Sequence, residues 1–246
     1  MRQDPLQVLH AASRQAPSVA RPRLVIAGAT GALGNEALRR LVGAGRYEST
    51  QVLAREPITT GLRGVRVTVV PPGEPDTWPA SAADVAVVMF DPPRLFYDRE
   101  RALWTPVPAQ LLPLARWLRA SGVRTLAVVL PHAPGRLPDA LKRGLASLDE
   151  QAVAGLGFER LLLLRSAQRP ADPAHASAPA RLAHWMLSIF KYMVPSSEQP
   201  VRASKVAELL SVSLRMAPPG IHVAAPELVW EAAQGRVHDV ARQWLA

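Results

Sequence analysis

A glycine-rich turn between an apolar strand and a helix is the feature that most constrains the fold of this chain. Residues 24–27 (Leu-Val-Ile-Ala) have the apolar, β-branched character of a buried strand. The run Gly28-Ala29-Thr30-Gly31-Ala32-Leu33-Gly34, here called the glycine loop, follows it and leads into a helical pattern over 31–42. A tight strand-to-helix turn of this kind is typical of the first unit of a parallel α/β sheet.

The rest of the chain continues the alternation of strands and helices. Apolar runs bounded by Gly or Pro predict strands, and apolar residues at helical spacing predict the helices between them. Pro113 predicts a kink or a late start in one helix. The order predicts an α/β fold with a doubly wound, mostly parallel sheet and a small C-terminal extension of helices and a strand. Further strands are predicted at 50–54, 65–70, 84–90, 124–130, 158–164 and 221–224, and helices at 107–120, 137–154, 181–192, 202–216, 226–234 and 236–245.

Length and composition fit one domain with a sizeable core, since the chain has 246 residues of which 48% are hydrophobic. Residues 1–22 are predicted to be an N-terminal appendage and 23–166 the core of the fold. Residues 167–246 are predicted to be an extension of the same domain on the side of a substrate.

Several classes of site are disfavoured by the residues present. Without cysteine there is no disulfide, thiolate nucleophile or cysteine metal site, and the six histidines are dispersed, so no metal is expected. The net charge is +9, but the arginines are scattered, so nucleic-acid binding is not favoured. No apolar run reaches the ~18 residues that would span a bilayer. Residues 1–20 lack the apolar centre of a secretory signal, so a cytoplasmic location is expected.

The glycine loop predicts a site for a phosphate-bearing ligand. Glycines let backbone N–H groups approach a pyrophosphate closely, and the N-terminus of the following helix adds a partial positive charge. A tight turn that serves only the fold is the alternative.

Three segments resemble one branch of a known family. The glycine loop resembles the T-G-x-x-G-x-x-G loop of extended and atypical short-chain dehydrogenases/reductases, nearest to an NAD(P)H-binding, nucleoside-diphosphate-sugar-epimerase-like branch. Residues 157–165 resemble the sixth strand of that branch, and 201–207 resemble the opening of a late helix. The resemblance covers nearly all of 23–229 and implies a Rossmann fold that binds NAD(P)H. The cofactor-binding residues are then expected to be Gly28, Thr30, Gly31, Ala32, Leu33, Gly34, Arg55, Phe90 and Asp91.

The residue after the second strand favours NADP over NAD, although NAD stays possible. An NAD enzyme usually has an acid there to bind the ribose 2′-hydroxyl, whereas this chain has Arg55. A guanidinium suits the 2′-phosphate of NADP. Glu56, next to it, is able to neutralise that charge, and an exposed arginine without a ligand is the alternative.

The acid/base residues that the family's reductases use are missing. Spacing places the Tyr-x-x-x-Lys pair near Lys142 and Ala146, neither of which has the required chemistry, and none of the three tyrosines has a lysine four residues on. The usual serine after the fifth strand is also absent. His132 and Tyr97 are weak candidates for a replacement acid, and the catalytic residues are otherwise unknown.

Three hypotheses remain open. The first is a Rossmann protein that binds NADP(H) as a sensor or binding protein. The second is an oxidoreductase or epimerase with an unorthodox acid, and the third is a degenerate Rossmann protein without cofactor. Expected partners are a dinucleotide and an unidentified small molecule, and the apolar residues 185–190 fit a core segment or the interface of a homodimer.

Overall fold

Seven strands and seven helices make up the part of the chain that the computed structural model describes, namely residues 21–59, 61–94, 97–132, 143–167 and 201–246. The strands are β1 Leu24–Ala27, β2 Thr50–Ala54, β3 Val65–Val69, β4 Val85–Met89, β5 Thr125–His132, β6 Arg160–Ala167 and β7 Gly220–Ala224. The helices are α1 Gly31–Gly43, α2 Asp98–Arg101, α3 Leu111–Ala120, α4 Leu148–Ala154, α5 Ala203–Met216, α6 Pro226–Glu231 and α7 Val237–Leu245.

All seven strands form one sheet in the order β3-β2-β1-β4-β5-β6-β7, and every neighbouring pair is parallel. The chain moves outward from β1 in one direction through β2 and β3, then returns to β4 on the other side of β1. The order of strands therefore reverses between β1 and β4, which is the topological switch point of a doubly wound sheet. The predicted α/β fold with a doubly wound parallel sheet is confirmed.

Side chains on alternate positions of each strand enter two separate cores, one on each face of the sheet. Leu24 and Ile26 of β1 pack with α1, α5 and α7. Val25 and Ala27 pack with α3 and α4. Because both faces are covered by helices, β1 and β4 to β6 are almost continuously apolar, which is why the sequence shows them as unbroken runs.

The C-terminal part of the described chain joins the same sheet. β7 pairs with β6 from Arg160↔Gly220 to Leu164↔Ala224, and α5 packs against α1. The predicted helices at 202–216, 226–234 and 236–245 correspond to α5, α6 and α7, and a short π-helical turn, Ala232–Arg236, separates the last two. The predicted helix 181–192, residues 185–190 and nearly all of the N-terminal appendage lie outside the described residues.

Two helices begin later than their patterns indicate. Pro108–Gln110 form a single 3-10 turn before α3 begins at Leu111, which places Pro113 in the first helical turn. The predicted helix 137–154 is wrong over 143–147, and its first residues, 137–142, lie outside the described ranges. α4 starts at Leu148 because the Ser147 hydroxyl accepts the Glu150 N–H at 3.1 Å and caps the helix there.

A buried ion pair holds this helix start against β6. The Arg165 guanidinium, only 2% exposed, donates to Glu150 Oε2 at 2.5 Å and to the Gly144 carbonyl at 2.8 Å. The same Glu150 oxygen accepts the Ala146 N–H at 2.7 Å. A buried charge is tolerated only when it is paired and hydrogen-bonded in this way, so the pair fixes where the loop before α4 lies.

Replacing Arg165 by methionine is therefore expected to lower the free energy of unfolding by about 3–5 kcal/mol, because Glu150 would be left buried without its partner. The measurement is urea unfolding followed by circular dichroism. The double variant Arg165→Met/Glu150→Leu is expected to recover much of the loss. Arg242→Met, which breaks an exposed pair with Asp239, is the control and should change little. A loss in Arg165→Met no larger than in the control would contradict the role of the pair.

Candidate functional site

The glycine loop lies at the switch point and requires glycine at three positions for steric reasons. Gly28 and Gly31 have φ of +80° and +67°, the left-handed region that side chains disfavour. A Cβ on Gly28 would lie 2.0 Å from the Met89 carbonyl oxygen, and one on Gly34 would lie 2.5 Å from the Ala29 carbonyl carbon. The loop thus packs directly against β4 and against itself, whatever ligand it holds.

The first turn of α1 obtains its hydrogen-bond acceptors from outside the loop. Thr30 occupies the N-cap position, but its side chain makes no capping bond. Its hydroxyl instead donates to the Asp91 carbonyl at 2.5 Å and lies 3.0 Å from Thr105 Oγ1. The free N–H groups at the start of the helix therefore need other partners.

Glu100, on the one-turn helix α2 within the β4–α3 connection, is the first of these partners. Its Oε2 accepts the Gly31 N–H at 3.0 Å and the Arg94 N–H at 2.9 Å. Its Oε1 accepts from Asn35 Nδ2 at 2.8 Å and from the Arg94 guanidinium, whose Nε lies at 2.7 Å. The side chain is buried, with an exposed fraction of 6%.

Asp91, immediately after β4, is the second partner. Its Oδ2 accepts the Leu33 N–H at 3.3 Å. Burial raises the pKa of Asp91, and the bond from Leu33 offsets this only in part. Burial also acts to raise the pKa of Glu100, but the hydrogen bonds from Arg94, Gly31 and Asn35 outweigh it and hold that pKa below its ordinary value. Two carboxyl groups thus share the positive end of α1.

The chain after Glu100 crosses the carboxyl ends of β1 and β2. This crossing segment comprises residues 102–106. The Trp104 N–H donates to the Leu53 carbonyl at 2.9 Å, the Arg55 N–H to the Ala102 carbonyl at 2.7 Å, and the Gly28 N–H to the Trp104 carbonyl at 3.2 Å. The segment therefore covers the edge of the sheet where β1 and β2 end.

A tryptophan cluster anchors the crossing segment to the core. The Trp104 ring meets Trp78 edge to face with centroids 5.0 Å apart, and Trp78 meets Trp117 of α3 in the same way at 5.4 Å. Both Trp104 and Trp78 are less than 10% exposed. Aromatic contacts of this geometry add to the hydrophobic burial of the rings, so residue 104 is firmly held.

A cavity of about 550 Å³ lies on the other side of the switch point, at the ends of β4, β5 and β6. The first turn of α1 and the start of α5 form its walls, and most of its lining is apolar. The polar residues in the lining are Asp91, Ser166 and Arg202. An apolar cavity of this volume with a few polar groups is typical of a small-molecule site. The lining residues are Ala32, Leu33, Asp91, Pro92, Val129, Leu130, Pro131, Ser166, Ala167, Val201, Arg202, Ala203 and Val206.

The structure brings some of the predicted cofactor-binding residues together and separates others. The glycine loop and Asp91 are in contact and lie beside the cavity. Phe90 is buried in the core on the α3 and α4 face. Arg55 follows β2 with an exposed side chain, and its N–H is already bonded within the crossing segment.

The candidate acids His132 and Tyr97 are not among the residues that line the cavity. His132 is the last residue of β5 rather than a loop residue, is 4% exposed and pairs in register with Ala167. Its neighbours Leu130 and Pro131 line the cavity instead. Tyr97 is half exposed, with the Arg94 guanidinium 3.8 Å from its ring centroid. Lys142 lies outside the described residues, and Ala146 belongs to the loop before α4.

Sequence patterns did not single out Glu100, Arg94 or Asn35. Glu100 stands in the run Asp98-Arg99-Glu100-Arg101, whose alternating charges are typical of a solvent-exposed turn. Its neighbours Asp98 and Arg101 are indeed exposed. Only the packing of the one-turn helix α2 over the glycine loop distinguishes Glu100 from them.

Among the described residues, no group of three or more acidic, histidine or cysteine side chains is placed to hold a metal ion. In the same ranges, no helix has the length and apolar character needed to cross a bilayer.

Comparisons with known proteins give matches in structure alone. No family model matches the chain, and no curated protein matches it in sequence. The Citrobacter sp. triphenylmethane reductase, solved with NADP(H), is 13% identical over 82% of this chain and 70% of its own, with a TM-score of 0.46. Two Bordetella bronchiseptica enzymes match with TM-scores of 0.43. WbmH, solved with NAD+, is 11% identical over 85% of this chain and 79% of its own. WbmG, solved with NAD and UDP, is 14% identical over 88% of this chain and 78% of its own.

At these identities and scores the likeness concerns the fold alone. The fold is assigned from the strand order around the switch point and from the position of the glycine loop after β1. The chain has a Rossmann-type fold.

The glycine loop offers a test that does not depend on a ligand. Gly28→Ala is expected to lower the free energy of unfolding by about 2–4 kcal/mol, because it combines a left-handed φ with a Cβ in contact with the Met89 carbonyl. Gly43→Ala is the control, since nothing lies within 4 Å of its Cβ position. It should be neutral or slightly stabilising. Equal stability of the two variants by urea unfolding would refute the close packing of the loop on β4.

Proposed function

We propose that the chain binds a nicotinamide dinucleotide, with a phosphate at the first turn of α1 and the nicotinamide half in the cavity beside it. The observation that carries this proposal is that Ala32 and Leu33 belong both to the first turn of α1 and to the cavity wall. An anion at the helix N-terminus would therefore be continuous with the space that receives the rest of the ligand.

The residues present fit such a ligand on the cavity side. Backbone N–H groups at the start of α1 supply donors for a phosphate, and the carboxylate of Asp91 supplies an acceptor for hydroxyl groups. The Rossmann-type sheet places both at the switch point, where ligands of open α/β sheets bind. When bound, the nicotinamide ring would bring hydride chemistry to this cavity.

The residues around the cavity support binding or sensing of the cofactor rather than carbonyl reduction. None of Tyr47, Tyr97 and Tyr192 has a lysine four residues on, so the usual proton donor is missing from the sequence. His132 is buried at the end of β5, while its neighbours line the cavity. An oxidoreductase with an unorthodox acid has less support in this geometry than a cofactor sensor or binding protein.

A second candidate, a Rossmann protein whose glycine loop serves only the fold, is favoured by a specific observation. Glu100 and Asp91 already bind N–H groups of the first turn of α1, and the crossing segment covers the ends of β1 and β2. An adenosine half in that place would have to displace residues 102–106. The two candidates differ in one measurable respect, which is whether a dinucleotide binds at all.

Cofactor binding to the purified protein decides between them. Ligand that binds only the native state stabilises it by about 2.7 kcal/mol at a hundred times Kd. The melting temperature should then rise by roughly 5–10 °C for a chain of this length. NADPH, NADH and no addition are compared by differential scanning fluorimetry. An unchanged melting temperature at millimolar NADPH and NADH would reject the dinucleotide and leave the second candidate.

We further propose that the preferred dinucleotide is NADP(H), through Arg55. Its side chain is exposed at the end of β2 and forms no ion pair within the described ranges. Arg55→Ala is expected to weaken NADPH binding about tenfold while leaving NADH binding unchanged, since only NADPH carries the 2′-phosphate. The measurement is isothermal titration calorimetry. Arg39→Ala, on the exposed face of α1, is the control, and an equal loss for NADH and NADPH in Arg55→Ala would contradict the assignment.

A further inference from the structure

Glu100 occupies the place at which the glycine loop presents its donors. Four donor groups converge on this one carboxylate: the N–H groups of Gly31 and Arg94, the Asn35 amide and the Arg94 guanidinium. A carboxylate that accepts backbone N–H bonds at a helix N-terminus satisfies the same dipole and the same donors that a phosphate would satisfy. Within this structure, the anion at the positive end of α1 is thus part of the chain itself.

We infer that Glu100 competes with the ligand's phosphate for the N-terminus of α1 and so sets the affinity of the site for dinucleotides. The inference rests on the proposed function, because it concerns the control of that same site. A phosphate approaching Gly31 would meet a carboxylate at the donor it needs, and two like charges at hydrogen-bond distance repel strongly where water is excluded. The phosphate therefore binds only when the Glu100 side chain leaves.

The surroundings of Glu100 allow it to leave without unfolding the site. It stands on the one-turn helix α2, whose residues Asp98 and Arg101 are exposed. The crossing segment that follows is held separately by the Trp104 ring and its backbone bonds. A rotation of one side chain, or a shift of one helical turn, frees the Gly31 N–H while the tryptophan anchor stays in place.

Arg94 makes the exchange electrostatically balanced. Its guanidinium, 43% exposed, pairs with Glu100 in this structure. When Glu100 moves away, the same guanidinium loses its carboxylate partner and is able to pair with the incoming phosphate, so one anion replaces another at one cation. Arg94 is then a binding residue for the ligand-bound state and a partner of Glu100 in its absence.

The experiment measures binding of two probes by isothermal titration calorimetry. Inorganic pyrophosphate tests the anion site without a nicotinamide, and NADPH tests the whole ligand. The proteins are the wild type, Glu100→Ala, the isosteric Glu100→Gln and the control Glu48→Gln, an exposed glutamate before β2 at the opposite edge of the sheet. Removing the competing charge in Glu100→Ala should lower the dissociation constants of both probes about tenfold. Glu100→Gln, which keeps the shape of the side chain, should also lower both constants, whereas Glu48→Gln should bind both probes as the wild type does.

A second pair of variants tests the part played by Arg94. Adding Arg94→Gln to Glu100→Ala should return the pyrophosphate affinity to the wild-type value or below it. A double variant that binds pyrophosphate as tightly as Glu100→Ala would overturn the role of Arg94.

The outcomes separate this inference from the proposed function. Equal pyrophosphate affinity in the wild type and both Glu100 variants, with circular dichroism showing that at least Glu100→Gln is folded, would overturn the inference even if NADPH binds. Tighter pyrophosphate binding in the variants, with NADPH binding to none of the proteins, would support the competition by Glu100 and reject the dinucleotide. Tighter binding of both pyrophosphate and NADPH in the Glu100 variants would support both the competition by Glu100 and the binding of a dinucleotide.

Discussion

The N–H groups at the start of α1 need acceptors, and the way in which this chain supplies them governs the rest of the site. Thr30 does not cap the helix, because its hydroxyl donates to the Asp91 carbonyl instead. Two carboxyl groups from the β4–α3 connection, those of Asp91 and Glu100, take the place of a cap. This requirement ties the connection to the glycine loop and brings the crossing segment across the ends of β1 and β2.

The two sides of the switch point consequently differ. On the β2 side, the crossing segment is hydrogen-bonded to Leu53 of β2 and to Gly28 just after β1, and Trp104 anchors it, so the chain fills the edge of the sheet itself. On the β5 side, a cavity of about 550 Å³ adjoins the same helix terminus. The nicotinamide half of a dinucleotide would therefore meet a preformed cavity, whereas the adenosine half would meet an edge that the chain itself covers. Glu100 lies at the helix terminus that the phosphate between the two halves would need.

Local patterns predicted the sheet well, because each strand that is buried on both faces is an unbroken apolar run and the glycine loop marks the first turn. They failed where a contact distant in sequence decides the outcome. The apolar spacing of 137–154 predicts a long helix, but Ser147 caps α4 and the Glu150–Arg165 pair holds the residues before it as a loop. Glu100 was missed because its burial depends on where α2 packs, whereas its sequence neighbours are exposed charges. Gly28 and Gly31 could be recognised as turn residues from the sequence because local backbone geometry, a positive φ, requires glycine there.

The most direct test of the claim that carboxylates of the chain occupy the helix terminus is the pH dependence of the Gly31 and Leu33 amide resonances by NMR. We predict that the Gly31 amide follows a carboxyl group whose pKa lies below the ordinary value of glutamic acid, and that this response vanishes in Glu100→Gln. We also predict that the Leu33 amide follows a second carboxyl group, Asp91, whose pKa lies above the ordinary value of aspartic acid. A Gly31 amide that exchanges rapidly with solvent and shows no carboxyl titration in the wild type would mean that Glu100 does not occupy the helix terminus.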